Sequence, residues 1–516
     1  MLAPAAIMHA ALPDSTFLLL RHADADRTAN LRLGSLNPVS LRHHAVKNYG
    51  YGAVGYRWTH GRYHAVDASG HADAIDIRLD GRRRLGSFDV AGYIAYLNST
   101  ERHRSWNNTL FLPTDNPFLL CDSVAGETST ESFRLGVAAA WNGGGRLTAA
   151  IRADMLTGSM ADQTDPRPKT DATWIHLTPG AELAITPALS IGLALSADIY
   201  RANTSHVIIN TMETHRYFLM KGVGDFQRQS SADIGSYPRE YKGETFGGAL
   251  TLVYEPQEKR WRNFLELRAA AGGEDAVDGG TYFTYRGGDY TRREVSLSER
   301  AQIVGNRATH DVTLEASYAT GRGTWYDQRR LVDTEHGNIT YYETLSKDLI
   351  YKSADMAAGI GWRATLPGRG LPRLTVTASA RLERSERRHF AAQTTRQEFT
   401  RAAFRAGVEK NVALRRWALT ARLAGAYVLP LGERTYGSAL ADLETEYAAP
   451  FFEYRSAREA GVSGSLEALV PLRSSGLGLR AFADATGRFF LGDGTWSARY
   501  DGTSQLNVRA GVGLAF

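Results

Sequence analysis

The chain has 516 residues with 51 glycines, only 16 prolines, one cysteine and a formal net charge of +5. That length would ordinarily hold several soluble domains, but the apolar residues are spread thinly and no run of 18 or more occurs, which excludes a transmembrane helix. The single Cys121 excludes an intramolecular disulfide and a cysteine-based zinc site, and the arginines are scattered along the chain instead of forming one basic stripe, which argues against nucleic acid as a partner.

Residues 1–47 read as an N-terminal lead-in. Met1–Ala10 is apolar and ends in a small-residue pattern, but it lacks a positive n-region, so the sequence is expected to start from a trimmed or shifted signal. FLLLRHADAD at 17–26 resembles the arginine-histidine motif of histidine phosphatases, in which the imidazole acts as nucleophile. A phosphatase would need alternating strands and helices after that motif. None follows, and the segment reads as a periplasmic lead-in.

From residue 48 onward the pattern is alternation. Leu189, Ile191, Leu193, Leu195 and Ala197 alternate with Ser190, Gly192, Ser196 and Asp198; Val312, Leu314, Ala316 and Tyr318 face away from Thr313, Glu315 and Ser317. Leu374 to Glu383 and Trp417 to Tyr427 behave alike, and the last stretch sets Leu506, Val508, Ala510, Val512, Leu514 and Phe516 against Asn507, Arg509 and Gly511. Each stretch has about the 9–11 residues that a tilted strand needs to cross a bilayer. Compact turns near 80–86, 142–145, 186–189, 256–260, 305–307, 367–372, 411–415 and 473–476 alternate with long polar stretches at 59–71, 99–128, 158–170, 203–240, 273–290, 320–347, 389–397, 429–455 and 491–503. Short turns on one side and long loops on the other are the signature of a bacterial outer-membrane barrel. The fold expected over 48–516 is therefore all-β, a transmembrane antiparallel up-and-down β-barrel of about 18 strands with both termini periplasmic. A count of 16 is the alternative, because the hairpin around 48–82 is the least regular. A β-propeller would require an even repeat of roughly 40–50 residues, and none is present.

Placing the apolar side against lipid puts Asp76, Arg78, Glu266, Arg268, Arg381, Glu383, Arg405, Arg422, Arg480, Asp484 and Arg509 in the lumen, because an arginine facing lipid at the midplane costs about 2–4 kcal/mol. These charges read either as mutually neutralising ladders or as a positive field that favours anionic solutes. The segment 108–127 is the expected loop folded into the lumen. Loop aromatics such as Trp106, Phe118, Phe218, Trp325 and Phe452 suit either a pore cap and partner surface or simple loop packing. Catalytic groups do not form a set: Ser205, His206, His215 and Asp225 lack the spacing a hydrolase needs. His103, His206, His215 and His310 read as isolated, exposed loop or rim residues, and His60 and His64 lack the helical pattern and glutamate of a zinc motif.

NPFLLCDSVAGE at 116–127, DPRPKTDATWIHLTPG at 165–180, YKGETFGGAL at 241–250 and the terminal GVGLAF resemble an uncharacterised family of Bacteroidota outer-membrane β-barrels carrying a domain of unknown function. The resemblance spans roughly residues 48–516. It implies a barrel in the outer membrane, with a TonB-dependent receptor or surface lipoprotein as neighbour, and it assigns no functional residue. The expected function is a porin-like channel or uptake component for small solutes, needing no cofactor and in contact with lipid and, through the signal ending at Phe516, with the barrel-assembly machinery. The alternatives are a loop-plugged binding or scaffold barrel and, third, an outer-membrane hydrolase.

Overall fold

The computed structural model describes residues 30–44, 46, 48–112, 115–234, 237–256, 260–279, 284–335, 337, 339–368, 372–390, 394–413, 417–438, 443–472, 477–492 and 494–516. The phosphatase-like stretch at 17–26 lies outside them.

The strands in chain order are β1 (Tyr49–Gly61), β2 (His71–Leu85), β3 (Phe88–Arg104), β4 (Leu120–Cys121), β5 (Gly126–Asn142), β6 (Leu147–Asp162), β7 (Pro168–Ala184), β8 (Leu189–His206), β9 (Arg216–Gly222), β10 (Asp225–Ser230), β11 (Arg239–Tyr254), β12 (Trp261–Gly279), β13 (Thr284–Val304), β14 (Thr309–Asp333), β15 (Ile339–Leu366), β16 (Leu374–Phe390), β17 (Thr394–Ala413), β18 (Ala418–Pro430), β19 (Glu459–Pro471), β20 (Gly478–Phe490) and β21 (Ser504–Ala515). Eighteen of them form one closed antiparallel sheet in which each pairs with its neighbour along the chain. Two steps skip the inserted strands: β3 pairs with β5, and β8 with β11. β21 returns to β1 and shuts the wall. Closure removes both sheet edges, which is how the backbone groups of a spanning wall find partners even in hydrocarbon.

Outside, the wall is apolar. Ile75, Ile77 and Leu79 of β2, Leu193 and Leu195 of β8, Leu265-flanked Leu267 of β12, Ile360 and Trp362 of β15 and Val512 and Leu514 of β21 are exposed or half-exposed side chains on alternate positions. Near the short turns stand Phe88, Trp141, Trp261, Trp362, Trp417 and Phe516, all exposed. An exposed apolar band with an aromatic girdle is stable against lipid and not against water. This is the surface of an outer-membrane barrel, and it accounts for a sequence whose greasy residues never cluster.

Turns and loops sit at opposite ends. β2 and β3 are joined by Gly86-Ser87 alone, with Gly86 at φ +58°, the left-handed conformation a two-residue hairpin requires. Two stretches expected to be loops are instead strand: β12 runs on to Gly279, and β14 and β15 carry the ladder to Asp333 and Ile339, so most of 320–347 is a paired ribbon. Beyond the lipid both faces meet water, the alternation of apolar residues is lost, and strand then reads as loop. Within 203–240, β9 and β10 form a small separate sheet with β4, in the order β10-β9-β4.

Candidate functional site: a lumen filled from both ends

The inner face of the wall is identified by what touches it. One short segment, Asn30–His43, meets β3, β5, β6 and β7 through its 3-10 turn and meets the charged residues of β12 and β13 through its first half. Strands on opposite sides of a closed sheet can share a partner only from within. The eleven charged residues at 76, 78, 266, 268, 381, 383, 405, 422, 480, 484 and 509 each adjoin an apolar residue on their strand.

Asn37 organises the segment at the turn end. Its side chain accepts from the Val39 amide and starts the 3-10 turn Pro38–His43, whose first residue is a proline. The same side chain donates to the Ala181 carbonyl at 2.9 Å. That approach needs bare backbone: a Cβ on Gly180 would stand 2.5 Å from the Asn37 Oδ1, and one on Gly192 would stand 2.7 Å from its Nδ2. Arg32, buried, reaches Glu182 of β7 at 3.4 Å and also pairs with Glu255 beside β11. Glu266, 1 % exposed, accepts from the Leu36 amide at 3.1 Å and from Ser35. Arg300 donates to the Asn30 carbonyl at 2.6 Å, and Arg42 reaches the Ser87 carbonyl at 3.0 Å and Asp89 at 3.3 Å. Leu31 packs with Val253 and Phe264. The segment is held by ionic contacts on several separate strands and by the buried apolar side chains of Leu31, Pro38 and Val39.

The loop end is closed by apolar packing. The small sheet β10-β9-β4 and the segment preceding it sit inside the mouth, the place expected for 108–127. Phe118, fully buried, rests on Gly288, whose φ of +121° and missing Cβ, which would lie 2.6 Å from the ring, admit it. Its carbonyl accepts from Arg239 at 3.2 Å and from the Tyr241 hydroxyl at 3.1 Å. Arg239 is itself paired with Asp278, at 2.7 Å in one of two contacts, and both side chains are wholly buried. Arg292 holds Asp115 at 2.6 Å. Trp106 lies between Phe218 and Tyr447; the helix Ala449–Ser456 sets Phe452 against Phe399, and its buried Glu453 takes Arg434 at 3.1 Å. The loop aromatics therefore pack against one another. Tyr341 on the projecting ribbon stays exposed.

Beside Cys121 in this insert, Asp122 accepts from Asn108 at 3.0 Å and from the Val124 amide at 2.8 Å, while burial pushes its carboxyl up to about 6. The Cys121 thiol is fully buried, and burial raises it well above the usual thiol range. His206, expected at an exposed rim, is buried: its Nδ1 contacts the Tyr237 carbonyl at 2.9 Å and its Nε2 the Asn108 amide at 3.2 Å. The loop insert covers it, which strand alternation alone does not show. Asp225 pairs with His389 at 3.0 Å, so the candidate nucleophile and base groups have separate partners. Among the described residues no three His, Cys, Asp or Glu side chains gather as a metal site.

Between the two closures the wall is laddered with charge. Arg509 contacts Asp76 at 3.0 Å, Arg480 and Glu467 meet at 2.7 Å, and Arg422 and Glu409 at 2.7 Å. Glu383 takes Arg381 at 2.8 Å and Arg401 at 2.7 Å; Arg78 reaches Asp80 at 3.1 Å, and Arg268 pairs with Glu266. Asp484 stands opposite Arg509 in the ladder. Arg405 has no ion pair among the described residues and borders a hollow of about 330 Å³ with Leu31, Arg300 and Arg363. A second hollow, of about 400 Å³, lies among Arg78, Arg422, Arg480, Asp484 and Arg509. Near-complete pairing favours neutralised ladders over a strong positive field. The partner Glu467, and the whole of the Asn30–His43 segment, were not among the residues the sequence pointed to; the alternation of Glu467 with Leu466 and Ala468 was the available signal.

Among curated proteins no sequence matches the chain. Solved structures with a similar barrel include the ferric preacinetobactin receptor BauA of Acinetobacter baumannii, 9 % identical over 90 % of this chain and 80 % of that one, with a TM-score of 0.40. The RagAB peptide importer in its closed-closed state is 7 % identical over 91 % and 87 %, with a TM-score of 0.43. The outer-membrane transporter YddB of Escherichia coli is 9 % identical over 90 % and 80 %, with a TM-score of 0.41. These likenesses are too distant to bear on solute or partner. A family model described as a family of unknown function, DUF6850, matches residues 38–516, the whole barrel together with the 3-10 turn Pro38–His43, and the chain belongs to that family.

Proposed function

We propose that the protein is an uptake barrel of the bacterial outer membrane that rests closed and passes small solutes when one of its own segments leaves the lumen. The observation that carries this reading is the unequal build of the two closures. The loop end is sealed by an interlocked set of buried aromatics and the fully buried Arg239–Asp278 pair, whereas the turn end holds Asn30–His43 through ion pairs and backbone contacts to separate strands, with Leu31, Pro38 and Val39 as its buried apolar residues. Barrels of 16–18 strands leave an aqueous channel when nothing fills them, so the inserted chain sets the permeability. In this reading the turn end and both termini face the periplasm, and Asn30–His43 is the part that moves.

The eleven charged wall residues are proposed to be the surface a solute meets, with Arg405 the cation free to bind an anionic group. No catalytic step is assigned, since His206 and Asp225 are engaged elsewhere. A liposome-swelling assay with small sugars and small anions tests the proposal: the wild-type barrel should admit them slowly, and a variant carrying Arg32→Glu, which sets like charges against Glu182 and Glu255, should admit them rapidly.

A second reading, a scaffold barrel that docks a TonB-dependent receptor or a surface lipoprotein, is favoured by the aromatic seal and by the projecting β14–β15 ribbon with exposed Val332, Tyr341 and Leu345. It predicts slow swelling in both proteins and co-purification of a partner from mild detergent.

A further inference from the structure

Outside the barrel, the outward positions of β14–β17 change character at the level where the apolar band ends. Register sets Arg322 opposite Lys352, Lys352 opposite Arg388, and Arg388 opposite Arg396, so that four cations form one cross-strand row over four adjacent strands. All four point away from the lumen: Arg322 lies between buried Gly321 and Gly323, Lys352 between buried Tyr351 and Ser353, and Arg388 between buried Arg387 and His389. Arg293 and Arg384 add two further outward cations nearby. The opposing charge on this patch is carried by Glu386 and Glu398, which are taken up by Arg388, Arg396 and Arg384. Arg322 and Lys352 have no ion pair among the described residues; Lys352 lies over the Phe390 ring at 5.2 Å.

Like charges placed directly opposite each other on a sheet face destabilise it; Glu386 and Glu398 answer Arg388 and Arg396, which leaves Arg322 and Lys352 to be met by a counter-charge from outside the chain. Its height says where that charge resides. Lys352 is ten residues along β15 from Trp362 of the turn-end girdle, which at a strand tilt near 45° is about 23 Å along the barrel axis, close to the roughly 25 Å height of a barrel's apolar band. The row therefore stands at the polar boundary of the leaflet on the loop side. The outward edge of β5–β8 at the same end carries Glu127, Glu131 and Asp171 beside Lys169 and Arg201, so that edge is of mixed charge and lacks the cationic row.

We propose that β14–β17 form a binding site for a phosphorylated glycolipid of the outer leaflet, its phosphate groups held by Arg322 and Lys352, with Arg388 and Arg396 flanking, and its acyl chains lying on the band below, at Met356, Ile360 and Leu382. Arginine meets phosphate through two parallel donors, and lysine through a point charge. The inference rests on the outer-membrane reading above and on the loop end facing outward; it is independent of whether the lumen opens.

The test uses the full chain, delipidated in detergent, with a bis-phosphorylated lipid A as probe and bound lipid counted by native mass spectrometry. The wild type should retain the glycolipid, and the Arg322→Gln, Lys352→Gln double variant should bind about tenfold more weakly, a factor within the range of two lost charge-assisted contacts. Arg322→Lys should keep most of the affinity, and unchanged heat-modifiable gel mobility shows that each variant is folded. Equal binding of dephosphorylated lipid A would overturn the proposal in favour of a non-specific lipid annulus. Displacement of the glycolipid by inorganic phosphate alone would assign the site to free anions, and equal retention of phosphatidylglycerol would remove the glycolipid specificity; either contradicts it. Because swelling is measured separately, failure here leaves the permeability reading standing, and the reverse holds too.

Discussion

Arg509 of β21 and Asp76 of β2 join hands across the strand between them: the guanidinium and carboxylate meet above Gly55 of β1, with Nε 3.0 Å from Oδ1. The bridge passes at this height because residue 55 has no side chain. A Cβ there would stand 3.0 Å from the Asp76 Oδ1 and 3.2 Å from the Arg509 Nε. The second and last strands are thus tied across the first at the seam where the barrel closes.

Two substitutions separate the bridge from the space it needs. Arg509→Ala removes a part-exposed ion pair and should cost about 1 kcal/mol or less. Gly55→Leu forces the pair apart inside the wall and should cost more, by roughly 1–3 kcal/mol of overpacking. Thermal unfolding in detergent, followed by heat-modifiable migration, checks the order; equal effects would mean that the seam does not depend on the bare Gly55.

Phe516 is 62 % exposed, yet its backbone closes the ladder, donating to the Gly50 carbonyl at 2.9 Å and accepting from the Gly50 amide at 2.6 Å. Deleting Phe516 should lower the amount of folded barrel in the outer membrane while synthesis continues, because the last pairing of the seam goes. Phe516→Ala keeps the backbone pairing and so isolates the contribution of the exposed aromatic side chain. Surface levels measured by protease shaving distinguish the two, and normal levels of both variants would contradict the role.

The buried carboxyl of Asp122 makes the loop seal sensitive to pH. Its folded value, about 6, lies above the unfolded carboxylate value near 3.8, so the folded state binds the proton more tightly and stability falls as pH rises from about 4 to 6, then levels off. The limiting effect is on the order of 2–3 kcal/mol. Hydrogen exchange in 105–125 should be slower at pH 4 than at pH 7 after correction for intrinsic rates, and Asp122→Asn should remove the difference. The same protection at both pH values in the wild type would count against it.

Cys121 offers a reporter on the same insert. Fully buried, with its thiol held in the protonated form, it should react with a maleimide far more slowly than an exposed cysteine. Gly288→Leu, which puts a side chain where Phe118 sits, should speed the reaction at least about tenfold by unseating the insert. Fast labelling of the wild type would show that the loop end is not sealed.

The wall was legible in the sequence because its constraint is local. Lipid on one side and polar lumen on the other impose a period of two, and glycine, asparagine or proline marks the short turns, as at Gly86 and Asn142. The direction in which Asp76 and Arg509 point could be read from that period; their pairing could not, since it joins residues more than four hundred positions apart. The ribbon of β14 and β15 was hidden because strands in water on both faces lose the alternation. The Asn30–His43 segment was hidden more deeply: it has no period, and its partners at Glu182, Glu266 and Arg300 are distant in sequence. His206 looked exposed for the same reason, since only the folded loops cover it.

The most direct test of the closed-barrel account is single-channel conductance in planar bilayers, comparing the wild type with Arg32→Glu. The account predicts a wild type that is closed with rare openings and a variant with long-lived openings, because Arg32 would then be repelled by Glu182 and Glu255 and the segment would leave the lumen. A wild type that conducts steadily at the variant's level would contradict it.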